Sequence, residues 1–462
     1  MRTSPAPDAE SRTGLDEQSR PLSAAPSGVG RTARGMEEID RNRTIRADLS
    51  RLVEPGDMLA GIVIEELGCF EAHSLIVSEQ SPGTRLVQRV AEAAEERGLT
   101  GAHRDLRNGL ERWRTRLSQA DGSRDLATIR RFGGGLLCPE DEAWPESLWD
   151  LGPAAPVALW WRQNGQPAQD GEGPCLPRRG LTVAVVGSRE ITDYGTRVCA
   201  ELTEALVAGG VCVLSGGAYG VDAAAHRAAL RTAARREEAQ GTSVAPAGRL
   251  RSTVAVLAGG LDRLYPAGNQ ALLQAVEQQG LLLSEMAPGS SPTRHRFLQR
   301  NRLIAALCAA TLVVEARWRS GAQSTAHHAL ELGRPVGVVP GSIYSASSAG
   351  CHRLLRETPS ELITGAEDVV TLISPAVGGP EDAFRRTSPA PGEQLKLSVR
   401  PQDGLPEADQ LLLDALPKVR VSPPAKLSEV AGLPLPQVLS GLSRLERRGL
   451  ARQVNGHWGR AG

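Results

Sequence analysis

The chain has 462 residues, with 53 lysine plus arginine and 53 aspartate plus glutamate, so its formal net charge at pH 7 is zero. This length exceeds the ~250 residues at which single cores stop growing, and it indicates about two or three domains. A neutral total excludes an overall attraction for nucleic acid, so a nucleic-acid surface could come only from local clustering of basic residues.

The cysteines and the apolar segments indicate the compartment. The seven cysteines are odd in number and scattered, without a C-x-x-C pair, which favours buried thiols in a reducing cytosol. The N-terminus lacks the apolar stretch of a signal peptide, and no window reaches the roughly 18 apolar residues of a membrane span. We therefore expect a cytoplasmic protein without a membrane partner.

The first part of the chain is predicted to be a disordered tail followed by helices. Residues 1–44 are rich in Pro, Ser, Gly and Arg and lack apolar periodicity, so they cannot bury enough surface to offset the entropy of ordering. Residues 45–137 carry apolar side chains at helical spacing, as at Leu49, Leu52 and Val53, and form a predicted helical N-terminal domain.

The middle of the chain is predicted to be an α/β domain over residues 138–373. It opens with an entry segment, 138–179, whose prolines and four tryptophans indicate an extended connector with packing anchors. Six apolar runs separated by helical patterns follow: LTVAVV, VCVLS, TVAVLA, GLLLSE, ATLVVEA and PVGVVP. Runs that are apolar throughout predict a parallel sheet covered on both faces. The charged stretch 231–252 is a predicted surface insertion that extends a helix.

The C-terminal part is predicted to be a linker and a small domain. Residues 374–406 are of low complexity and indicate the linker. In residues 407–462 a short helix precedes a turn at Gly432–Pro434, a second helix carries Val438 and Leu442, and a small wing ends at Trp458. This order is typical of a winged helix.

Two glycine turns at strand ends are candidate anion sites. Gly216 and Gly217, with Gly220 after them, follow a strand and open a helix, so the backbone can approach an anion at the positive end of that helix. Gly187 and Ser188 form a similar turn after the first strand, and the Arg189 that follows offers donors that match a phosphate.

A third segment supplies a basic cluster around Phe297, made of Arg294, Arg296, Arg300 and Arg302. Nine arginines and three glutamates lie from Arg294 to Glu357, a local excess of six positive charges. Basic residues beside an aromatic ring are typical of single-strand binding, where a base stacks on the ring. Core packing of Phe297 is an equally good interpretation.

A fourth turn places Ser320, Gly321 and Thr325 at the start of a helix. Their polar groups can contact a phosphate or cap the helix, and both interpretations stay open. Arg294 and Arg296 are further candidate phosphate contacts.

Catalysis has weaker support. Asp222 and His226 lie one helical turn apart, and a packed polar pair that braces the glycine loop is the favoured interpretation of them. No G-x-S-x-G motif, zinc-ligand spacing or G-x-x-x-x-G-K-[ST] loop occurs. We therefore expect no catalytic residue, metal or cofactor.

The motifs together resemble a known family. VVGSRE, SGGAYGVDAAAHRAAL, AVLAGGLDRLYPAGNQALLQAV, GLLLSE, FLQRNRLIAAL, SGAQSTAHHALELGRPVGVVPG and GCHRLL occur in the order seen in the DNA-processing protein A (DprA, or Smf) family, from about Cys138 to Leu372. The resemblance implies an extended Rossmann-like core that binds and protects single-stranded DNA. It also implies a homodimer that loads RecA recombinase during natural transformation, without enzymatic activity.

The family's DNA pocket, carried onto this sequence, consists of ten residues. They are Gly187, Ser188, Arg189, Ser215, Gly216, Gly217, Phe297, Arg300, Asn301 and Arg302. Two positions depart from the family pattern: Leu298 stands where proline is usual, and His352 stands where asparagine is usual. These departures bear on local loop geometry rather than on the fold.

Two questions remain open from the sequence. A nucleotide-binding or nucleotide-cleaving enzyme on a related sheet, using Asp222, His226 or Glu285, is the alternative function, but it leaves the arginine excess unexplained. The predicted winged helix carries few basic residues, chiefly Arg444 and Arg447, so protein contact is as consistent with it as duplex binding.

Overall fold

The computed structural model describes residues 33–78, 80–163, 173–174, 176–240, 251–373, 405–417 and 421–461. Contacts divide the chain into one compact unit within residues 1–384 and another within 385–462. None of the described helices is long and apolar enough to cross a membrane.

Helices form the N-terminal part of the first unit. They are α1 (Ala33–Leu52), α2 (Met58–Leu67), α3 (Cys69–Val77), α4 (Thr84–Glu96), α5 (Leu106–Arg114) and α6 (Gly122–Arg131). The apolar faces of α1 to α5 enclose one core, in which Leu49, Ile62 and Trp113 are almost fully buried. Leu126 and Ile129 of α6 belong to a separate core that includes Trp160.

Helix α1 corrects the boundary of the predicted disordered tail. It begins at Ala33, so the prediction of disorder is wrong for residues 33–44, and residues 1–32 lie outside the described residues. The first turns of α1 are polar and show no apolar periodicity in the sequence, because only the residues from Ile45 onward are buried in the core. A side-chain ion pair from Arg43 to Asp141, 2.9 Å long, fixes them instead.

A nine-stranded sheet forms the middle of the chain. Its strands are β1 (Gly134–Leu137), β2 (Leu159–Arg162), β3 (Thr182–Val186), β4 (Cys212–Ser215), β5 (Thr253–Leu257), β6 (Leu281–Ser284), β7 (Ala310–Val313), β8 (Val336–Val338) and β9 (Glu361–Leu362). The order across the sheet is β1-β2-β6-β5-β4-β3-β7-β8-β9. All six predicted strands are present and pair in parallel, which confirms the α/β class.

Two strands at one edge were not predicted. Strand β2 pairs antiparallel with both β1 and β6, and it lies in the segment that was interpreted as an extended connector. Three of the four tryptophans in that segment are buried, as expected of packing anchors, whereas Trp149 is exposed.

Helices cover both faces of the parallel part. They are α7 (Asp193–Ala208), α8 (Val221–Gln240), α9 (Gln270–Gln279), α10 (Arg294–Leu307), α11 (Gly321–Glu331), α12 (Ala349–Glu357) and α13 (Ala366–Ile373). Successive side chains of β3 alternate between the two layers: Val183 and Val185 pack towards α7, and Ala184 and Val186 towards α10. The predicted insertion begins as an extension of α8, and its residues 241–250 lie outside the described residues.

The chain reverses its direction across the sheet at β3. Strand β3 pairs with β4 on one side and with β7 on the other, so the connections run outward from this point in both directions. In open α/β sheets ligands bind beyond the carboxyl ends of strands at such a switch point.

The second unit contains three described helices and one hairpin. They are α14 (Glu407–Ala415), α15 (Pro424–Ala431), α16 (Leu435–Arg447), β10 (Ala451–Val454) and β11 (His457–Arg460). Leu412, Leu427, Val438, Leu442 and Trp458 form its core. Helix α14 was not predicted, and most of the predicted linker lies outside the described residues.

The described cysteines agree with the expectation of buried thiols. Five of the six are buried, Cys69 is partly buried, and all six are free. Burial raises the pKa of the Cys138 and Cys199 thiols to about 12, so both are protonated and unreactive at neutral pH.

Candidate functional site

A pocket of about 760 Å³ lies at the switch point, beyond the carboxyl ends of β3 and β7. It brings together most of the residues that the sequence predicted. The predicted residues that line it are Gly187, Ser188, Arg189, Asp222, Arg294, Phe297, Arg300, Asn301, Ser320, Gly321 and Thr325.

The turn after β3 requires glycine because two other segments approach it closely. A Cβ on Gly187 would lie 2.4 Å from Val221 Cγ2 and 2.8 Å from the Glu315 carbonyl oxygen. Gly220 has a φ of +77°, and its Cβ would lie 2.1 Å from the Ser188 carbonyl oxygen. Ser188 also accepts a hydrogen bond of 3.1 Å from the Val221 amide. These contacts bring the start of α8 to the wall of the pocket.

Helices α8, α10 and α11 all begin at the pocket. Thr293 caps α10 by accepting from the Arg296 amide at 3.3 Å, and Ser320 caps α11 by accepting from the Ala322 amide at 3.3 Å. Thr325 is therefore not the cap; it is almost fully buried and lines the pocket. The partial positive charges of the helix N-termini favour an anion in this space.

The rim of the pocket carries exposed cations. Arg189, Arg294, Arg317 and Arg319 are exposed and line it. Arg317 forms an exposed ion pair of 2.5 Å with Glu190, and the other side chains face water at the mouth. The rim is therefore positive around a recess large enough for a small organic group.

Phe297 lies on the pocket wall. It is partly exposed, its ring centroid lies 6.1 Å from that of Tyr265, and the Arg189 guanidinium lies 5.1 Å from its centroid. Phe297 therefore contacts Tyr265 and Arg189 and also lines the pocket, and its role as a stacking platform stays a prediction.

Arg300 forms part of the pocket floor. It is only 7% exposed, donates to the Val256 carbonyl oxygen, and donates to Asn301 Oδ1 at 3.3 Å. Burial lowers the pKa of Arg300, and the nearby Asp222 opposes that shift. Burial likewise raises the pKa of Asp222, while Arg300 opposes the change. The opposite charges of Arg300 and Asp222 therefore partly offset the cost of burying each group beneath the pocket.

The glycine loop after β4 lies behind this floor rather than on the pocket surface. Ser215 is fully buried and donates to the Val185 carbonyl oxygen at 2.6 Å. A Cβ on Gly216 would lie 2.2 Å from Arg300 Nη1 and 2.5 Å from Asp222 Oδ2, so this glycine makes room for the buried pair. Ser215, Gly216 and Gly217 were predicted to line the same cradle, but all three are buried and none lines this pocket. Gly217 instead lines a neighbouring cavity of about 10 Å³, together with Phe297 and Arg300.

Asp222 and His226 brace that loop separately. Asp222 accepts from the Ala218 amide at 3.3 Å, and His226 Nε2 lies 2.8 Å from the Gly216 carbonyl oxygen. His226 Nδ1 lies 2.7 Å from Thr253 Oγ1, and burial lowers the pKa of His226 to about 4. A neutral, fully buried imidazole is a support and is not placed to serve as a base for a ligand in the pocket.

Two predicted arginines lie away from the pocket. Arg302 was predicted to bind DNA, but it lies within α10, is 3% exposed, and forms a two-pronged ion pair with Glu285 with both distances at 2.8 Å. Arg296 is similarly paired with Glu54 of the N-terminal helices, at 2.8 and 3.0 Å. Although burial alone would raise the pKa of Glu54, these hydrogen bonds hold it below its usual value.

The local arginine excess therefore overstates the free positive charge. Arg334 is also buried and bonds to Asp150 at 2.8 Å, and Arg353 bonds to Glu357 at 2.7 Å. The same placement removes Glu285 from the alternative enzymatic site, because Arg302 occupies both of its oxygens.

Several residues that line the pocket were not predicted from the sequence, among them Arg317, Arg319 and Tyr265. Arg317 and Arg319 were counted in the local excess of arginine but were not assigned to the site. Their position just before Ser320, the N-cap of α11, could have indicated that they lie beside an anion site. Tyr265 comes from a distant loop, and no local pattern indicates it. Within the described residues, no group of three His, Cys, Asp or Glu side chains could hold a metal ion.

Sequence comparisons with known proteins indicate one family. The family described as DNA recombination-mediator protein A matches residues 135–374. A DprA-type DNA processing protein of Mycobacterium tuberculosis is 37% identical over 430 residues, covering 91% of this chain and 95% of that protein. The DNA processing protein DprA of Streptococcus pneumoniae is 35% identical over 232 residues, covering 50% of this chain and 71% of that protein. A solved structure of DNA processing protein A from Helicobacter pylori, described for its single-stranded DNA binding mode, matches at 25% identity with a TM-score of 0.42, covering 53% of this chain and 97% of that chain.

Proposed function

This chain belongs to the DNA recombination-mediator protein A family, and we propose that it binds single-stranded DNA in the pocket without catalysing a reaction on it. The observation that carries the proposal is the pocket itself. Three helix N-termini and four exposed arginines surround a recess with a partly open aromatic wall. Phosphates need the cations, and an unpaired base can stack on Phe297.

A single strand fits these features better than a duplex. The bases of a duplex are stacked and paired, so they cannot turn into a recess and reach Phe297 or Tyr265. A mononucleotide would engage one phosphate group, whereas Arg189, Arg294 and Arg319 are spread over three separate segments of the rim. The distribution of charge therefore supports a ligand with several phosphates.

The wider role follows from the family's description as a recombination mediator. We propose that the bound strand is protected and passed to RecA recombinase, that the protein acts in the cytoplasm, and that it forms a homodimer.

We also propose that residues 45–137 are an accessory helical domain and that the C-terminal unit is a winged helix. Measurement of the molar mass in solution tests the dimer, and the rate of RecA filament formation on DNA covered by this protein tests the loading role.

Binding of oligonucleotides across a salt series tests the pocket. The purified full-length protein is titrated with an oligo-dT strand, with a duplex of equal length, and with a mononucleotide. Single-strand affinity should fall with a log–log slope of about −0.7 per phosphate contact, which for four arginines gives about −3. A slope near zero, or equal affinity for the mononucleotide, would refute the proposal and favour the nucleotide-enzyme alternative.

A further inference from the structure

Trp318 is an exposed aromatic residue beside the pocket. It lies in the loop between β7 and α11 and is 54% exposed. Its chain neighbours Arg317 and Arg319 both line the pocket, and consecutive Cα atoms are about 3.8 Å apart. Trp318 therefore stands at the rim without forming part of the pocket wall.

The loop around Trp318 is held in place by hydrogen bonds. Gln323 Nε2 donates to the carbonyl oxygens of Arg317 and Trp318, each at 2.8 Å. The Arg353 guanidinium lies 5.1 Å from the Trp318 ring centroid. A cation at this distance from an indole is attracted by the ring, so the ring has a preferred orientation. The exposed ring is thus presented by a braced backbone.

The charges around the ring indicate the kind of ligand. The Arg353 guanidinium lies against the Trp318 ring, and the chain neighbours Arg317 and Arg319 line the adjacent pocket. Glu190 and Glu357 are the acids paired with Arg317 and Arg353. An aromatic ring among arginines is the combination that holds single strands, because the ring takes a base while the cations take the phosphates on either side.

We propose that Trp318 is a second base-stacking platform, outside the pocket, which extends the path of a bound single strand across the rim towards Arg353. This inference rests on the proposed function of the pocket. The strand that fills the pocket continues over the 317–319 loop, and one of its next bases stacks on the indole. The ligand class is a nucleobase of a strand too long for the pocket alone.

The test compares two strand lengths on full-length Trp318→Ala. Oligo-dT strands of about 4 and about 16 nucleotides span the range of known single-strand site sizes. Loss of one stacked base should lower affinity for the longer strand roughly 5- to 150-fold and leave the shorter strand unaffected. Trp318→Phe, which keeps an aromatic face, should restore most of the affinity. Trp149→Ala removes a tryptophan of nearly equal exposure, 55%, and should change neither affinity.

Several results would overturn the platform while leaving the pocket intact. They are equal affinities of wild type and Trp318→Ala for the longer strand, equal losses on both lengths, or a change in molar mass that accounts for the loss. The last result would indicate a protein contact at Trp318. Different results would refute the proposed function of the pocket itself. In that case the wild-type protein would bind neither strand, or Arg189→Ala would leave the affinities for both strands unchanged.

Discussion

Arg189→Ala is the substitution that tests the pocket most directly. Arg189 is exposed, follows the glycine turn after β3, and lies over Phe297 at 5.1 Å. In the proposed complex its removal takes away one charged contact to a phosphate, and hydrogen bonds to charged groups contribute about 1.5–3 kcal/mol. Affinity for oligo-dT should therefore fall roughly 10- to 150-fold. The log–log salt slope should become less steep by about 0.7.

The assay and its controls separate charge from geometry. Fluorescence anisotropy of labelled oligo-dT, measured across a salt series, gives both the affinity and the slope. Arg189→Lys keeps the charge but not the forked donors, so it should lower affinity and leave the slope unchanged. Arg131, exposed on α6 outside the pocket, provides the matched control Arg131→Ala. If Arg189→Ala has the affinity and the slope of wild type, this arginine does not contact the strand and the pocket is wrongly placed.

Three further predictions concern residues around the site. Arg302→Ala should reduce the free energy of unfolding by about 3–5 kcal/mol in urea titrations, because it leaves Glu285 buried without its partner; unchanged stability would contradict the buried ion pair. Burial lowers the pKa of His226 to about 4, so the unfolded chain binds more protons, and stability should decline by up to roughly 3 kcal/mol as pH falls from about 6.5 to about 4. His226→Gln should flatten that pH dependence, and an equal slope in both proteins would count against it. Glu190→Gln frees Arg317 from an exposed ion pair and should strengthen oligo-dT binding by up to about fivefold, whereas weaker binding would show that Glu190 does not compete with phosphate.

The parallel strands could be predicted because their signal is local. Strands β3 to β8 are short apolar runs that contact helices on both faces, and such runs show in the sequence without knowledge of their partners. Strands β1 and β2 have four residues each and pair with each other, and the pairing of β2 with β6 joins segments more than 100 residues apart along the chain. A segment of four residues carries no signal that identifies its partner strand.

The glycine and arginine turns could also be predicted because their sequence signal is local. The different roles of the two glycine turns could not be predicted. Both glycine loops follow predicted strands, but only the turn at Gly187 faces the pocket, whereas the loop at Gly216 supports its floor. The difference arises because Arg300, from a helix more than 80 residues later, fills the space over Gly216.

The sequence by itself determined the α/β class, the positions of six strands and the segments that meet at the switch point, because burial on both faces and turn chemistry are local properties. Only the tertiary structure decided which arginines are free to meet a ligand. Arg300 and Arg302 are two residues apart on one helix and so point about 200° apart around its axis, one into the pocket floor and the other to Glu285. Arg296 forms an ion pair with Glu54, which lies 242 residues earlier in the chain. A side chain's partner across such separations depends on how helices pack, and the composition of a segment does not contain that information.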